Sequence, residues 1–100
     1  MNHLPVRLSE TAEIDITEAF KWYQNRSRKA AESFRTEILS AIDRLASAPD
    51  SWKTDEDGNH HFVLKRFPFS VVFALTTDAI VIIAVSHHRR RPGYWRSLSA

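Results

Sequence analysis

The sequence predicts one α+β domain in the order β-αα-βββ, with an antiparallel helical hairpin packed on one face of a small antiparallel sheet. Three observations carry this. Apolar residues recur first at a period of two, then near 3.6, then near two again. The two helical stretches are separated by only a few polar residues. The C-terminal half then holds three short apolar runs divided by turn-forming residues.

Leu4, Val6 and Leu8 alternate with Pro5, Arg7 and Ser9, which predicts a short strand with proline near its exposed start. Ser9 or Thr11 can end it and cap a helix. The stripe Ala12, Ile16, Ala19, Phe20, Tyr23 then follows one helical face, with Glu10 and Glu13 in the first turn where the macrodipole favours anions. Ile14 and Trp22 lie off the stripe and would broaden it, with Trp22 and Tyr23 read as packing contacts of the hairpin. Residues 24–27 break the pattern, and Ser27 can cap a second helix on Ala31, Phe34, Ile38, Ala41, Ile42 and Leu45. Arg28 and Lys29 oppose the dipole in its first turn. Ala48-Pro49 should end it, because a residue before proline is pushed out of the α region. A loop this short makes the helices antiparallel neighbours.

The polar, acidic stretch 49–59 reads as a loop pinned by Trp52. Phe62 and Leu64 then form a strand, 66–69 interrupts, Val71 to Leu75 forms the next, Thr76 to Asp78 turns, and Ala79 to Val85 runs last, giving a three-stranded antiparallel meander. The runs 71–75 and 80–85 are apolar on both faces, yet two helices cover only one. The tail around Tyr94 and Trp95, or a partner, must cover the other.

One hundred residues with 43% hydrophobic content support a single domain with a single core. The absence of cysteine excludes a disulfide framework and any thiolate metal site and fits a reducing compartment. There is no signal-peptide pattern and no apolar run near the ~20 residues that span a bilayer, so a soluble, cytoplasmic protein without membrane attachment is expected. The net charge of +2 hides a polarity. Residues 1–58 hold 8 Lys/Arg against 11 Asp/Glu, a balance of −3, whereas residues 59–100 hold 6 against 1, a balance of +5. Most of the excess lies where the last apolar run meets His87, His88, Arg89, Arg90, Arg91, Pro92-Gly93, Tyr94 and Trp95.

The order of elements, DITEAFKWY at Asp15 to Tyr23, LKRFPFSVVF at Leu64 to Phe73 and AVSHHRRRPGYW at Ala84 to Trp95 together resemble the RelE/ParE superfamily of type II toxin-antitoxin toxins over nearly the whole chain, and the ParE branch more than the RelE branch. The chain departs from the family pattern at His60 and His61, where basic residues are common, and at Phe69, where a tyrosine hydroxyl is frequent. The resemblance implies a small bacterial toxin neutralised by a cognate antitoxin encoded beside it, acting on DNA gyrase by protein contact. A RelE-like ribosome-dependent mRNA endonuclease is the alternative, and a non-toxic binding module of the same fold the third reading. An oligomeric assembly with the antitoxin is expected.

Cutting RNA through its 2′-hydroxyl needs a base, an acid and cations for the phosphorane charge. His87, His88, Arg91 and Tyr94 are the candidates. For target or antitoxin binding the candidates are Lys65, Arg66, Arg89, Arg90, Arg91, Tyr94 and Trp95, which combine cationic and aromatic groups. The simpler reading makes His87 a strand-end hydrogen-bonding group, the arginines a solvated rim and Trp95 a packing anchor. His60, His61, His87 and His88 do not suggest a metal, because adjacent strand histidines point to opposite faces and no carboxylate or thiolate accompanies them. No nucleotide-binding or hydrolase motif is present, so no cofactor is expected.

Overall fold

The chain begins with β1 (Val6–Leu8), a three-residue strand that cannot stand alone and leads directly into α1 (Glu10–Gln24). The computed structural model describes residues 4–47 and 54–97. Ser9 caps α1, its hydroxyl accepting the Ala12 N–H at 3.0 Å. Ala12 and Ala19 are buried as their stripe predicts, while Ile14 and Trp22 are half exposed, so the buried face is narrow. Ser27 accepts the Ala30 N–H at 3.2 Å at the start of α2 (Arg28–Ser47), whose Ala31, Phe34, Ile38, Ala41 and Leu45 are buried. The helix end expected at Ala48-Pro49 and the Trp52 pin lie outside the described residues. No described helix is long and apolar enough to cross a membrane.

The meander forms as expected from β2 (His60–Val63), β3 (Phe69–Leu75) and β4 (Ile80–His87), each antiparallel to the next. Thr76 closes the β3–β4 turn, accepting the Ala79 N–H at 2.9 Å. The sheet order is β1-β4-β3-β2, and β1 lies parallel to β4 with Val6 opposite Ile80 and Leu8 opposite Ile82. The sheet is therefore mixed, because the helical hairpin acts as a crossover long enough to return the chain in the same direction.

The helices cover one face of the sheet. Phe34, Ile38 and Leu45 of α2 pack with Val71 and Phe73 of β3 and Ile80, Ile82 and Val85 of β4. The other face is sealed by the tail. After β4 the chain turns at Gly93, whose φ of 75° suits glycine, and enters a 3₁₀ turn (Tyr94–Ser97). Any Cβ at Gly93 would fall 2.6 Å from the Arg96 side chain. Tyr94 and Trp95, each 6% exposed, pack there on Val72 and Ala84. Of the two covers the sequence allows, the tail is the one found. Arg96 ties it to the 55–58 turn through the Asp57 carboxylate and, at 3.6 Å, Glu56.

A register shift opposite the Val72/Phe73 step makes both faces usable. Phe73 pairs with Ile82 but Val72 pairs with Ala84, leaving Ile83 as an extra residue. Ile82 and Val85 then face the helices, while Ala84 faces the tail. The capping hydroxyl of Ser9 also donates to the Ile83 carbonyl at 2.7 Å, so one side chain starts α1 and holds the bulge.

If the tail is part of the fold, Trp95→Ala should destabilise the chain by about 3–5 kcal/mol in urea unfolding. A loss below about 1 kcal/mol would place the tail outside the cooperative unit.

Candidate functional site

Where β1 ends at Leu8, the edge of β4 beyond Ile82 has no strand beside it. Asp15, one turn into α1, takes that place. Its Oδ2 accepts the Val85 N–H at 3.0 Å and the Tyr94 O–H at 2.5 Å, and its Oδ1 lies 3.7 Å from Arg90 Nη1. The Arg90 guanidinium also sits 3.8 Å above the Tyr94 ring, a cation–π contact. One carboxylate, 7% exposed, therefore joins α1, β4 and the tail.

Burial raises the Asp15 pKa above the ordinary carboxylate value, and the bonds from Tyr94 and Val85 with the Arg90 charge only partly offset it. The Tyr94 phenol is likewise pushed up, first by burial and then by donating to Asp15. It remains protonated at neutral pH and serves as the donor.

Beside this node, a groove of about 680 Å³ runs between α1 and the ends of β3 and β4. His87, His88, Arg89 and Arg90 line one side, and Glu18 and the half-exposed Trp22 the other. Trp22 stands edge-on to Tyr23 at 5.0 Å, and Arg26 covers its ring at 3.6 Å. Although Trp22 reads as hairpin packing, its 51% exposure puts it on the surface, while Tyr23 packs on Phe34 and Phe67.

His87 Nδ1 accepts the Arg89 N–H at 3.0 Å, which leaves the ring proton on Nε2. Burial, together with the Arg89 and His88 charges, lowers its pKa, so the ring is neutral at neutral pH. A base needs a spare lone pair, and the one on His87 is engaged by the Arg89 N–H. His88 Nε2 lies 3.1 Å from Ser70 Oγ. Tyr94 holds its proton on a buried carboxylate. Of the four residues that RNA cleavage would use, the groove brings together His87 and His88, while Tyr94 is withdrawn and Arg91 is exposed outside the groove lining.

The binding candidates divide among three places. Arg89 and Arg90 rim the groove, and Arg89 and Arg91 are exposed without an ion pair among the described residues. Lys65 and Arg66 lie on the 64–68 turn and face a second groove beside α2. Tyr94 and Trp95 are buried under the sheet. Among the described residues no three potential metal ligands converge: His61 is held by Asp55 at 2.8 Å and His60 stacks on Phe73. Asp15 is the residue that sequence reasoning misses. Its signal is position, three residues after Ala12 and four before Ala19, which puts a charge on the buried stripe.

A family model described as "ParE toxin of type II toxin-antitoxin system, parDE" matches residues 6–92. No curated protein sequence matches. Among solved structures, one titled "Chromosomal ParDE TA system from P. aeruginosa" superposes with a TM-score of 0.75 at 18% identity, covering 85% of this chain and 96% of that one.

Tyr94→Phe strips Asp15 of its closest donor and should cost about 1.5–3 kcal/mol. Asp15→Asn and Tyr94→Phe together should fall short of additivity by about 0.5–3 kcal/mol, and strictly additive losses would break the node into unrelated contacts. The pH dependence has a definite sign. Because the folded pKa of Asp15 lies above its unfolded value, its contribution is full below the ordinary carboxylate pKa and declines as pH rises through the raised value. The stability of wild type relative to Asp15→Asn should fall with pH across that window, as urea midpoints will show.

Proposed function

The chain belongs to the ParE toxin family of type II toxin-antitoxin systems, and on that premise we propose that it inhibits DNA gyrase by protein–protein contact and is neutralised by a cognate antitoxin. The observation that supports contact over catalysis is how the polar cluster is used. Tyr94 is consumed by Asp15, His87 Nδ1 by the Arg89 amide, and Arg90 by Asp15 and the Tyr94 ring. Groups spent in this way hold a surface in shape and are poorly placed to shuttle protons.

That surface has the composition of a binding hot spot. Exposed Trp22 on α1 faces Arg89 and Arg90 across the groove, and Arg91 extends the cationic rim. Tryptophan and arginine dominate interface energetics because each places a large, geometrically defined group in contact with a partner. The rigid node beneath lowers the ordering cost of binding, since Arg90 is already oriented by two partners.

Induction of the protein should trap gyrase on DNA, giving double-strand breaks when lysates are denatured, with mRNA intact by primer extension. Arg89→Glu combined with Arg91→Glu should lower break formation by purified gyrase about tenfold or more while leaving stability unchanged. Cuts at ribosomal A-site codons with unbroken DNA would favour the endonuclease reading. Unchanged DNA, mRNA and growth would leave a non-toxic binding module.

A further inference from the structure

The edge of β4 beside the first groove is open at two main-chain groups. β1 makes its last bond to that edge where the Ser9 N–H donates to the Ile82 carbonyl at 2.9 Å, and the chain then turns into α1. Beyond the bulge at Ile83, successive residues of β4 direct their main-chain groups to opposite sides. His88 donates to the Pro68 carbonyl at 2.8 Å, toward β3, and Val85 donates the other way, to Asp15 at 3.0 Å. Val85 and His87 therefore turn both their N–H and their C=O groups toward the groove, which both residues line.

Two of these four groups are closed. Asp15 takes the Val85 N–H, and the Arg90 N–H donates to the His87 carbonyl at 2.9 Å. The Val85 carbonyl and the His87 N–H have no partner among the described residues. An antiparallel strand needs both groups of Val85 or both of His87, and neither residue keeps both. A parallel strand needs only what is open: one of its residues donates its N–H to the Val85 carbonyl and accepts the His87 N–H on its own carbonyl. β1 already lies parallel to the same edge of β4, so an added strand would continue its line in its direction.

The side chains of such a strand alternate between the two faces of the sheet. The residue opposite Ser86 shares the side of Ala84 and the tail, where the Arg90 guanidinium lies over Tyr94 with its side chain 46% exposed. Its two neighbours share the side of Val85, where Phe69, the His87 ring edge-on to it at 4.9 Å, and Trp22 of α1 form an aromatic wall. Arginine selects a carboxylate at the middle position, and the aromatic wall selects apolar groups on either side of it. Glu18, on the α1 side of the groove, disfavours a second carboxylate there.

On the reading of the chain as a gyrase-binding toxin, we propose that this groove holds an extended gyrase segment, apolar–acidic–apolar in sequence, added as a parallel strand to β4 through the Val85 carbonyl and the His87 N–H. The conformation, direction and side-chain pattern of the segment are what this adds to that reading. A phosphodiester backbone brings no donor for the Val85 carbonyl. A second copy of this edge cannot serve either, because neither Val85 nor His87 has both groups to offer.

The test measures binding of purified gyrase to the intact chain. His87→Pro removes the open N–H and puts the proline ring in the path of an added strand, at an edge position where proline is tolerated. Its affinity should fall about tenfold or more below that of His87→Ala, which loses the same imidazole and keeps the N–H, with matched urea midpoints for the two variants. Equal affinities would overturn the strand. Hydrogen exchange at the His87 amide needs no variant and should slow about tenfold or more in the wild-type chain when gyrase is bound. Unchanged exchange in the bound chain would overturn the proposal while gyrase binding itself stands. A wild-type chain that gyrase does not bind would remove the target reading and the proposal with it. Protection of His87 by the product of the neighbouring reading frame, with none from gyrase, would reassign the edge to the antitoxin and overturn the proposal.

Discussion

A buried carboxylate holds this fold together where α1, β4 and the tail meet. β4 is a central strand for its first three residues and an edge beyond them, because β1 is only three residues long. Unpaired strand edges invite unwanted pairing. Asp15 meets this edge at the Val85 amide, and the same oxygen takes the Tyr94 hydroxyl. Stripping water from a carboxylate is costly, and here that cost outweighs the help of its donors, hence the raised pKa. Such a group persists because removing it would leave the strand edge and the tail without their common partner.

The two faces of the sheet follow from that node. With the tail fastened at Tyr94, Trp95 packs on Val72 and Ala84, and the strand can be apolar on both sides without exposing either. The bulge at Ile83 makes the assignment of sides possible, and Ser9 ties the bulge to the start of α1. The arginines then have defined stations: Arg90 over Tyr94, Arg89 at the groove rim, Arg96 on the acidic turn. The cationic excess of the C-terminal half is thus split between structural pairing and free surface. Glu37 and Asp15 mark the contrast, one a partly buried carboxylate that accepts two amides of the 64–68 turn, the other a buried partner of β4 and the tail.

Much of this is legible in the residues. The helical stripes name the buried positions of α2 almost completely, because one apolar face of a surface helix leaves a clear 3.6-residue signature. Both serine caps and the 76–78 turn are equally local, and local chemistry is what sequence encodes most openly. Pairing is not local. The parallel docking of β1 on β4 joins residues more than seventy positions apart, and a period of two says strand without saying beside what. The extra residue at Ile83 is invisible in a run that is apolar throughout. Asp15 carries a faint signal as a charge on a buried stripe, but its meaning depends on Tyr94, 79 residues away. Trp22 misleads for the opposite reason, being large and aromatic yet one position off the face that packs.

The most direct measurement is the carboxyl titration of Asp15 itself by ¹³C NMR, in the wild-type chain and in Tyr94→Phe. The account predicts an inflection above the ordinary carboxylate value, tracked by the Val85 amide, and a further rise when the tyrosine hydroxyl is removed, since that bond lowers the pKa. An inflection at the value of a solvated aspartate, unmoved by the substitution and unseen at Val85, would contradict it.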